Sequence, residues 1–254
     1  MNENTKSFAI KSISRSASIL TCISDGINTI TAIAEHCNLS KSTVHRLLRA
    51  MGEAGLIIHD PSNRKYFLGE LITKLISKPN VTHDYLIGCA DEEMKKLLEI
   101  TGETINLSIM IGNKYTSLHA APSKNDLRVV EQIREVTSVH AGSAGKVLLA
   151  QLDKKDLKAA LKNLMLDPVT EYTVTDKEEL LFQLKRIKQQ GYSVTYSERI
   201  IGAMAIAAPI KNYALPVALS IVGPESRMKP KTKELVDALL DSASRLSQKL
   251  KHCI

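Results

Sequence analysis

The sequence predicts an α+β protein in two parts: a winged helix-turn-helix over the first third, then a connecting helix and a larger domain of antiparallel strands and helices. Three observations predict it. Apolar positions recur at helical spacing through residues 13–54 and then give way to two short strands around a polar turn. A breaker cluster, Lys78-Pro79-Asn80-Val81-Thr82-His83, separates this block from the remaining two thirds of the chain. From Glu103 onward strand-like alternation sets in, with turn residues between neighbouring strands and the helices expected to group on one side of the sheet. The expected divisions are a winged helix-turn-helix over 1–80, a linker helix over 81–101 and a second domain over 102–254.

In the first third, a helix is expected over 13–23, with Ile13, Ala17, Leu20 and Ile23 on one face. Ile30, Ile33, Ala34 and Cys37 then fall at i, i+3, i+4 and i+7 and mark a second amphipathic helix. Asn38-Leu39 makes a short turn whose leucine can plug the angle between helices, and Ser40 stands where an N-cap belongs. The third helix buries Val44, Leu47, Leu48 and Met51 and turns Lys41, Ser42, Thr43, His45, Arg46 and Arg49 outward, with no acidic residue before Glu53. Gly55 ends it, and residues 56–68 read as two strands around a turn carrying Arg64 and Lys65. This arrangement presents a helix to a DNA major groove and a hairpin to the phosphate backbone. Paired helices and hairpins also build plain cores. The donor-only outer face, the short turn and the basic hairpin tip set this block apart from them.

In the second part, a helix over 84–100 carries Tyr85, Leu86, Cys89, Met94, Leu97 and Leu98 as its apolar members and stops at Thr101-Gly102. Such a helix can space two domains, pair with its copy in a second subunit, or simply open the second domain. Strands are expected over 104–111 and 115–121, joined by Gly112-Asn113-Lys114, and again over 127–133. A short helix begins near Ser143, and longer ones cover 154–164 and 177–190, the last ended by Gly191. Strands return over 192–197, 204–210 and 217–222, and an amphipathic helix over 230–250 closes the chain.

Composition narrows the classes. A length of 254 residues suits two domains with a core each, and 24% charged residues fit a soluble globular chain. The net charge is +7, and residues 1–80 hold ten Lys and Arg against six Asp and Glu, whereas 81–254 hold 24 against 21. The basic excess therefore concentrates where the helix-turn-helix lies, as a nucleic-acid partner requires. No apolar run approaches the ~18 residues of a membrane span, and the first residues lack a secretory stretch, so a cytoplasmic location without membrane contact is expected. The four cysteines are scattered, and neither they nor His36, His45 and His59 have metal-ligand spacing, so no metal, disulfide framework or cofactor is expected. Cys37 reads as a small core residue.

Residues 137–150, TSVHAGSAGKVLLA, contain a Gly-x-x-Gly-Lys that invites a phosphate-loop reading. That reading fails, because Val147 stands where the magnesium-binding Ser or Thr belongs. What remains is a small-residue loop leading into a helix, whose free N–H donors suit a carboxylate. His140 with Ser143, or Glu198 with Arg199, could be imagined as catalytic partners, but no nucleophile elbow, metal motif or cofactor fingerprint supports an enzyme. His140 reads as a residue orienting the start of the helix, and Glu198-Arg199 as a solvated loop pair.

Four segments together resemble the IclR family of bacterial transcription regulators, from about Lys11 to the C-terminus: SKSTVHRLLRAM at 40–51, HAGSAGKVLLA at 140–150, GYSVTYSERIIGAMAIAAPI at 191–210 and ALSIVGP at 218–224. The resemblance implies a winged helix, a linker helix and a GAF-like effector domain, assembled as dimers or dimers of dimers on palindromic operators. It also implies an effector pocket at Ser143, Ala144, Thr195, Ala205, Ser220 and Val222. Many members have Gly-Ala at 143–144, an acidic residue at 195, a cysteine at 205 and a second serine at 222. Four of the six positions depart from that pattern, and three of the departures delete a polar or acidic group.

The expected function is sequence-specific binding of a double-stranded DNA operator, as a repressor, modulated by a small organic-acid-like effector. Lys41, Ser42, Thr43, His45 and Arg46 would face the groove, and Arg49, Arg64, Lys65 and Arg15 would contact phosphates. The altered pocket predicts a larger or less polar effector than glyoxylate or pyruvate. The alternative is a ligand-independent DNA-binding regulator with a degenerate pocket.

Overall fold

The computed structural model describes residues 3–77, 79–130 and 136–251. The chain divides into two compact units, Met1–Thr82 and His83–Ile254.

The first unit comprises α1 (Glu3–Ser24), α2 (Ile30–His36), α3 (Lys41–Glu53), a hairpin of β1 (Ile57–Asp60) and β2 (Lys65–Leu68), and α4 (Glu70–Ile76). Its core is Ile19, Cys22, Ile23, Ile33, Ala34, Val44, Leu48, Met51, Ile57 and Tyr66, with Leu39 packed against it from the interhelix turn. The buried stripe of α1 is Ile19, Cys22 and Ile23, whereas Ile13 is 72% exposed. The expected face through Ile13 and Ala17 is thus corrected: the i, i+3, i+4 set that closes on α2 and α3 begins at Ile19, and Ala17 is exposed. Cys22 and Cys37 approach to 3.5 Å between Sγ atoms, and burial together with this contact pushes the Cys22 thiol up to about 11. Both are free thiols filling core space.

The second unit holds a six-stranded antiparallel sheet in the order β5-β4-β3-β8-β7-β6. Its strands are β3 (Thr104–Ile111), β4 (Lys114–Ala121), β5 (Val136–Ser138), β6 (Ser193–Tyr196), β7 (Ala203–Ile210) and β8 (Val217–Pro224). On one face, Ile105, Leu107 and Ile109 of β3, with alternate residues of β7 and β8, pack against α5 (Pro79–Thr101) and α10 (Thr232–Lys251). On the other, Met110, Tyr115, Ala207 and Ala218 pack against α6 (Ser143–Ala150), α7 (Lys154–Lys162) and α8 (Lys177–Gln190). Helices therefore cover both faces, which corrects the expected one-sided grouping. The nearly unbroken burial of β3 and β8 is its physical signature, since a strand covered on both sides has no solvated face.

Two further expectations are corrected. Residues 127–130 form no strand, and 131–133 lie outside the described residues; β5 supplies the edge pairing instead, opposite Lys114–Thr116. The helix expected from 84 begins earlier: Pro79 opens α5, where a missing N–H costs nothing, while Lys78 lies outside the described residues. Leu86, Ala90, Met94 and Leu97 bury α5 in the second core. Ion pairs Glu93–Arg245 at 2.8 Å and Glu92–Lys249 at 3.0 Å bind α5 to α10. His83 shares a 2.8 Å hydrogen bond with the Tyr213 hydroxyl, and burial lowers the imidazole's affinity for a proton. The terminal helix begins at Thr232, after a short helix α9 (Glu225–Met228) and a 3-10 turn at Lys229–Lys231. Among the described residues no helix is long and apolar enough to cross a membrane, and no group of three or more His, Cys, Asp or Glu could hold a metal ion.

Candidate functional sites

The first candidate surface is the outer side of α3. Ser40 caps the helix, its hydroxyl accepting from the Thr43 amide at 3.2 Å and lying 3.0 Å from Ser42 Oγ and 2.9 Å from Thr43 Oγ1. Val44, Leu48 and Met51 hold the inner side in the core, which leaves Lys41, Ser42, His45, Arg46 and Arg49 exposed. Thr43 is half-buried, with its hydroxyl turned into the cap. Arg49 pairs with Glu53 one turn on, at 3.1 Å, with both side chains largely exposed. Such a surface pair is worth under about 1 kcal/mol, so Arg49 can exchange Glu53 for a phosphate at little cost. Arg15 is half-buried on α1.

The hairpin tip is a built turn. The Asp60 carboxylate accepts from the Ser62 amide at 2.9 Å, the Ser62 hydroxyl at 2.6 Å and the Asn63 side-chain amide at 2.7 Å. The bonds from Ser62, more than any other cause, hold the Asp60 pKa below its usual value. Arg64 takes a left-handed backbone with φ 57°, and Arg64 and Lys65 are exposed at the end of the hairpin. His59 stacks on Tyr66 with ring centroids 4.5 Å apart, and the Tyr66 amide donates to the Asn28 carbonyl at 2.9 Å, tying the hairpin to the core.

The second candidate site lies where α6 begins. All six pocket positions singled out in the sequence, Ser143, Ala144, Thr195, Ala205, Ser220 and Val222, line one cavity. Register explains the convergence: Thr195 sits opposite Ala205, Ala205 opposite Val222, and Ser220 opposite both Ala207 and Asn106, all on the α6 face. Gly142 occupies the N-cap with φ 82° and no side-chain cap, so the amides that open the helix keep their donor capacity. Gly145 lets the loop close, because a Cβ there would stand 2.4 Å from the Val139 carbonyl oxygen. His140 is buried in the same turn, 2.7 Å from Ser138 Oγ, and donates from Nε2 to the Asp167 carbonyl at 2.9 Å.

The sequence reading missed Lys146, Gln183 and Tyr115 at this site and misplaced Glu198 and Arg199. Glu198 is 9% exposed rather than solvated, and one carboxylate oxygen accepts from the Gly142 amide at 3.0 Å. The other takes a 2.5 Å bond from Lys146, whose fully buried amine also donates to Gln183 at 2.7 Å. Burial pushes the Lys146 pKa down, and the adjacent Glu198 charge opposes that shift. Arg199 is half-buried, donates to the Tyr115 hydroxyl at 2.6 Å and lies over its ring at 5.7 Å. Glu198-Arg199 is therefore not a solvated pair: the Glu198 carboxylate anchors the loop before α6, and Arg199 forms part of the cavity wall with Tyr115. Thr170 and Thr173 fix this segment from outside, donating to the Ser197 and Glu198 carbonyls at 2.7 Å each. One signal was present in the sequence: a single lysine inside the apolar helix SAGKVLLA demands a buried counter-charge from elsewhere. The cavity itself leaves about 30 Å³ of free space, room for roughly one water molecule.

Known proteins match the chain in the same two parts. The "Bacterial transcriptional regulator IclR C-terminal" family profile matches residues 80–248, and the "IclR helix-turn-helix domain" profile matches 12–61. The chain is 32% identical over 243 residues to the HTH-type transcriptional regulator BhcR of Paracoccus denitrificans, covering 94% of this chain and 86% of that protein. It is 30% identical over 207 residues to the HTH-type transcriptional repressor AllR of Salmonella typhi, covering 81% of this chain and 76% of that protein. Among solved structures, the IclR of Thermotoga maritima superposes with a TM-score of 0.63 at 25% identity, covering 95% of this chain and 99% of that one.

Proposed function

Because the chain belongs to the IclR family of bacterial transcription regulators, we propose that its winged unit binds a double-stranded operator and that a small carboxylate-bearing effector in the α6 cavity sets its affinity for that operator. The chain is a helix-turn-helix transcription regulator rather than an enzyme. Lys41, Ser42, Thr43, His45 and Arg46 are assigned to the groove, and Arg49, Arg64, Lys65 and Arg15 to phosphates. The exposed donor face of α3 and the basic hairpin tip support this assignment.

One observation carries the effector half. An eight-residue helix opens into a cavity with no side-chain cap on its first amides, and the hydroxyl of Ser143 beside them is buried without a hydrogen-bond partner among the described residues. A carboxylate there would accept from the Ser143 and Ala144 amides and meet the positive end of the helix. Ser220 faces it across the cavity, and Thr195, Ala205 and Val222 supply walls. The protein works as a dimer or dimer of dimers in this reading, with α5, over the expected linker 81–101, passing the state of the 102–254 domain to the 1–80 domain. Repression is the expected sign, supported by the relative named as a repressor.

The test is a mobility-shift titration of the full chain with DNA from upstream of its own gene and the neighbouring genes, with and without short carboxylic acids. The expected result is specific binding whose affinity an acid changes by about 5–150-fold, the usual range of allosteric coupling. Specific binding that no acid alters would leave a ligand-independent regulator.

A further inference from the structure

Helix α7 carries lysines and leucines in adjacent rows. Lys154, Lys158 and Lys162 follow one another at four-residue spacing, and Leu157 and Leu161 stand beside them at the same interval. Helix α8 repeats the pattern once, with Lys177 and Leu181. The two helices leave between them an open groove with about 460 Å³ of free space. Leu157, Leu161 and Leu181 form its floor, and the four exposed lysines form its rim. None of these residues lines the α6 cavity.

Elsewhere in the chain, Lys74, Lys95, Lys96, Lys229 and Lys249 each pair with a carboxylate. Among the described residues, the four amines around the groove form no ion pair, although Asp156 and Glu178 stand on the same two helices. The groove is therefore apolar in its floor and cationic on both banks, and that combination selects among partners. Nucleic-acid phosphates would use the amines and leave the leucines against water. A bilayer needs apolar side chains that project, and these are recessed: Leu161 is buried, and Leu157 and Leu181 are half-buried. A symmetric contact between two copies of this face would set lysine row against lysine row. An acidic amphipathic helix answers both halves of the surface, with apolar anchors for the floor and carboxylates for the banks.

We propose that the groove between α7 and α8 is a docking site for an acidic amphipathic helix of a partner protein. From Lys154 to Lys162 the basic row runs about 12 Å along its helix, so an occupant of about two to three turns matches it. That occupant carries Leu, Met or Phe at i, i+4 and i+7, with Asp or Glu beside them. Exposed ion pairs add little affinity by themselves. Filling the leucine floor supplies the affinity, and the amines steer the approach and fix the orientation. The site uses neither the residues assigned to DNA nor those assigned to the effector.

The test is fluorescence anisotropy of the full chain with a labelled designed helix about four turns long, bearing leucine at i, i+4 and i+7 and glutamate at the flanking positions. Two control helices replace its leucines by serine or its glutamates by lysine. The leucine–glutamate helix should bind at least about tenfold more tightly than either control. Lys158→Glu combined with Lys162→Glu changes two exposed positions and should reverse the preference, so that the variant takes the leucine–lysine helix better than the leucine–glutamate one. If the double variant does not fold, the three helices on the wild-type chain decide the matter. Equal binding of the leucine and serine helices reduces the groove to bare charge attraction and overturns the proposal, as does binding of none of them. If the double variant instead loses affinity for random duplex DNA or for phosphatidylglycerol vesicles, or changes its mass in light scattering, the groove serves nucleic acid, membrane or a second copy, and the proposal falls.

Discussion

Arg46 and Lys65 are both exposed cations of the first unit, but they stand on different elements and should fail differently. Arg46 projects from the middle of the recognition helix, where a guanidinium can grip a guanine edge with two bonds. Arg46→Ala should cost about 1–3 kcal/mol on the specific operator and little on random DNA. Lys65 sits on the hairpin, and Lys65→Ala should weaken all sequences alike and reduce the salt slope by about one ion. Mobility shifts at several salt concentrations check both. Lys146 makes a different case. Lys146→Met leaves the Glu198 carboxylate buried and uncompensated and should destabilise the second unit by about 3–5 kcal/mol, read by urea melts. Adding Glu198→Gln removes the stranded charge and should recover most of that loss. The lysine was conspicuous in the sequence, but its partner lies 52 positions away and was legible only after folding.

At the scale of elements, the hairpin tip depends on one carboxylate. Asp60 accepts from Ser62 and Asn63, and its pKa is depressed. A depressed folded-state pKa stabilises the turn fully above the unfolded value of about 4, and the contribution fades as pH falls through the folded value. The Ser62 amide should therefore lose protection from hydrogen exchange in that acid range, while the core amides of α3 do not. Most elements were legible because their periodicity is strong: α3 has a cap, a clean stripe and a glycine stop, and β3 and β4 flank a good turn. The exceptions have physical reasons. Pro79 reads as a breaker but suits a first helical turn. Residues 127–130 are apolar enough for a strand yet form none. Nearby, the Val129 carbonyl accepts from Thr104 Oγ1 at 2.7 Å, and Arg227 donates to the Leu127 carbonyl at 2.9 Å.

For the whole molecule, the proposed regulation calls for two subunits and two states. Light scattering of the full chain should give at least a dimer. Operator half-sites should lie about one helical turn, or a multiple of it, apart. An effector that shifts operator affinity must have its own affinity shifted by the same factor when operator is present, since coupling is reciprocal. Calorimetry of the acid with and without operator should show matching ratios, and unequal ratios would exclude a two-site coupling mechanism.

The sequence by itself determined the class of the molecule. Helical spacing, a serine cap and an acid-free donor face specify a winged helix-turn-helix, because these are local properties that the backbone reads within one or two turns. The family resemblance carried by four segments also pointed to the six positions that meet at the cavity. Only the tertiary structure decided what surrounds them. The buried Lys146–Glu198 pair, the Arg199–Tyr115 contact and the bond from the Ser220 hydroxyl to the Asn106 backbone carbonyl join residues from 52 to 114 positions apart. Burial and strand register, which no local pattern encodes, set their chemistry.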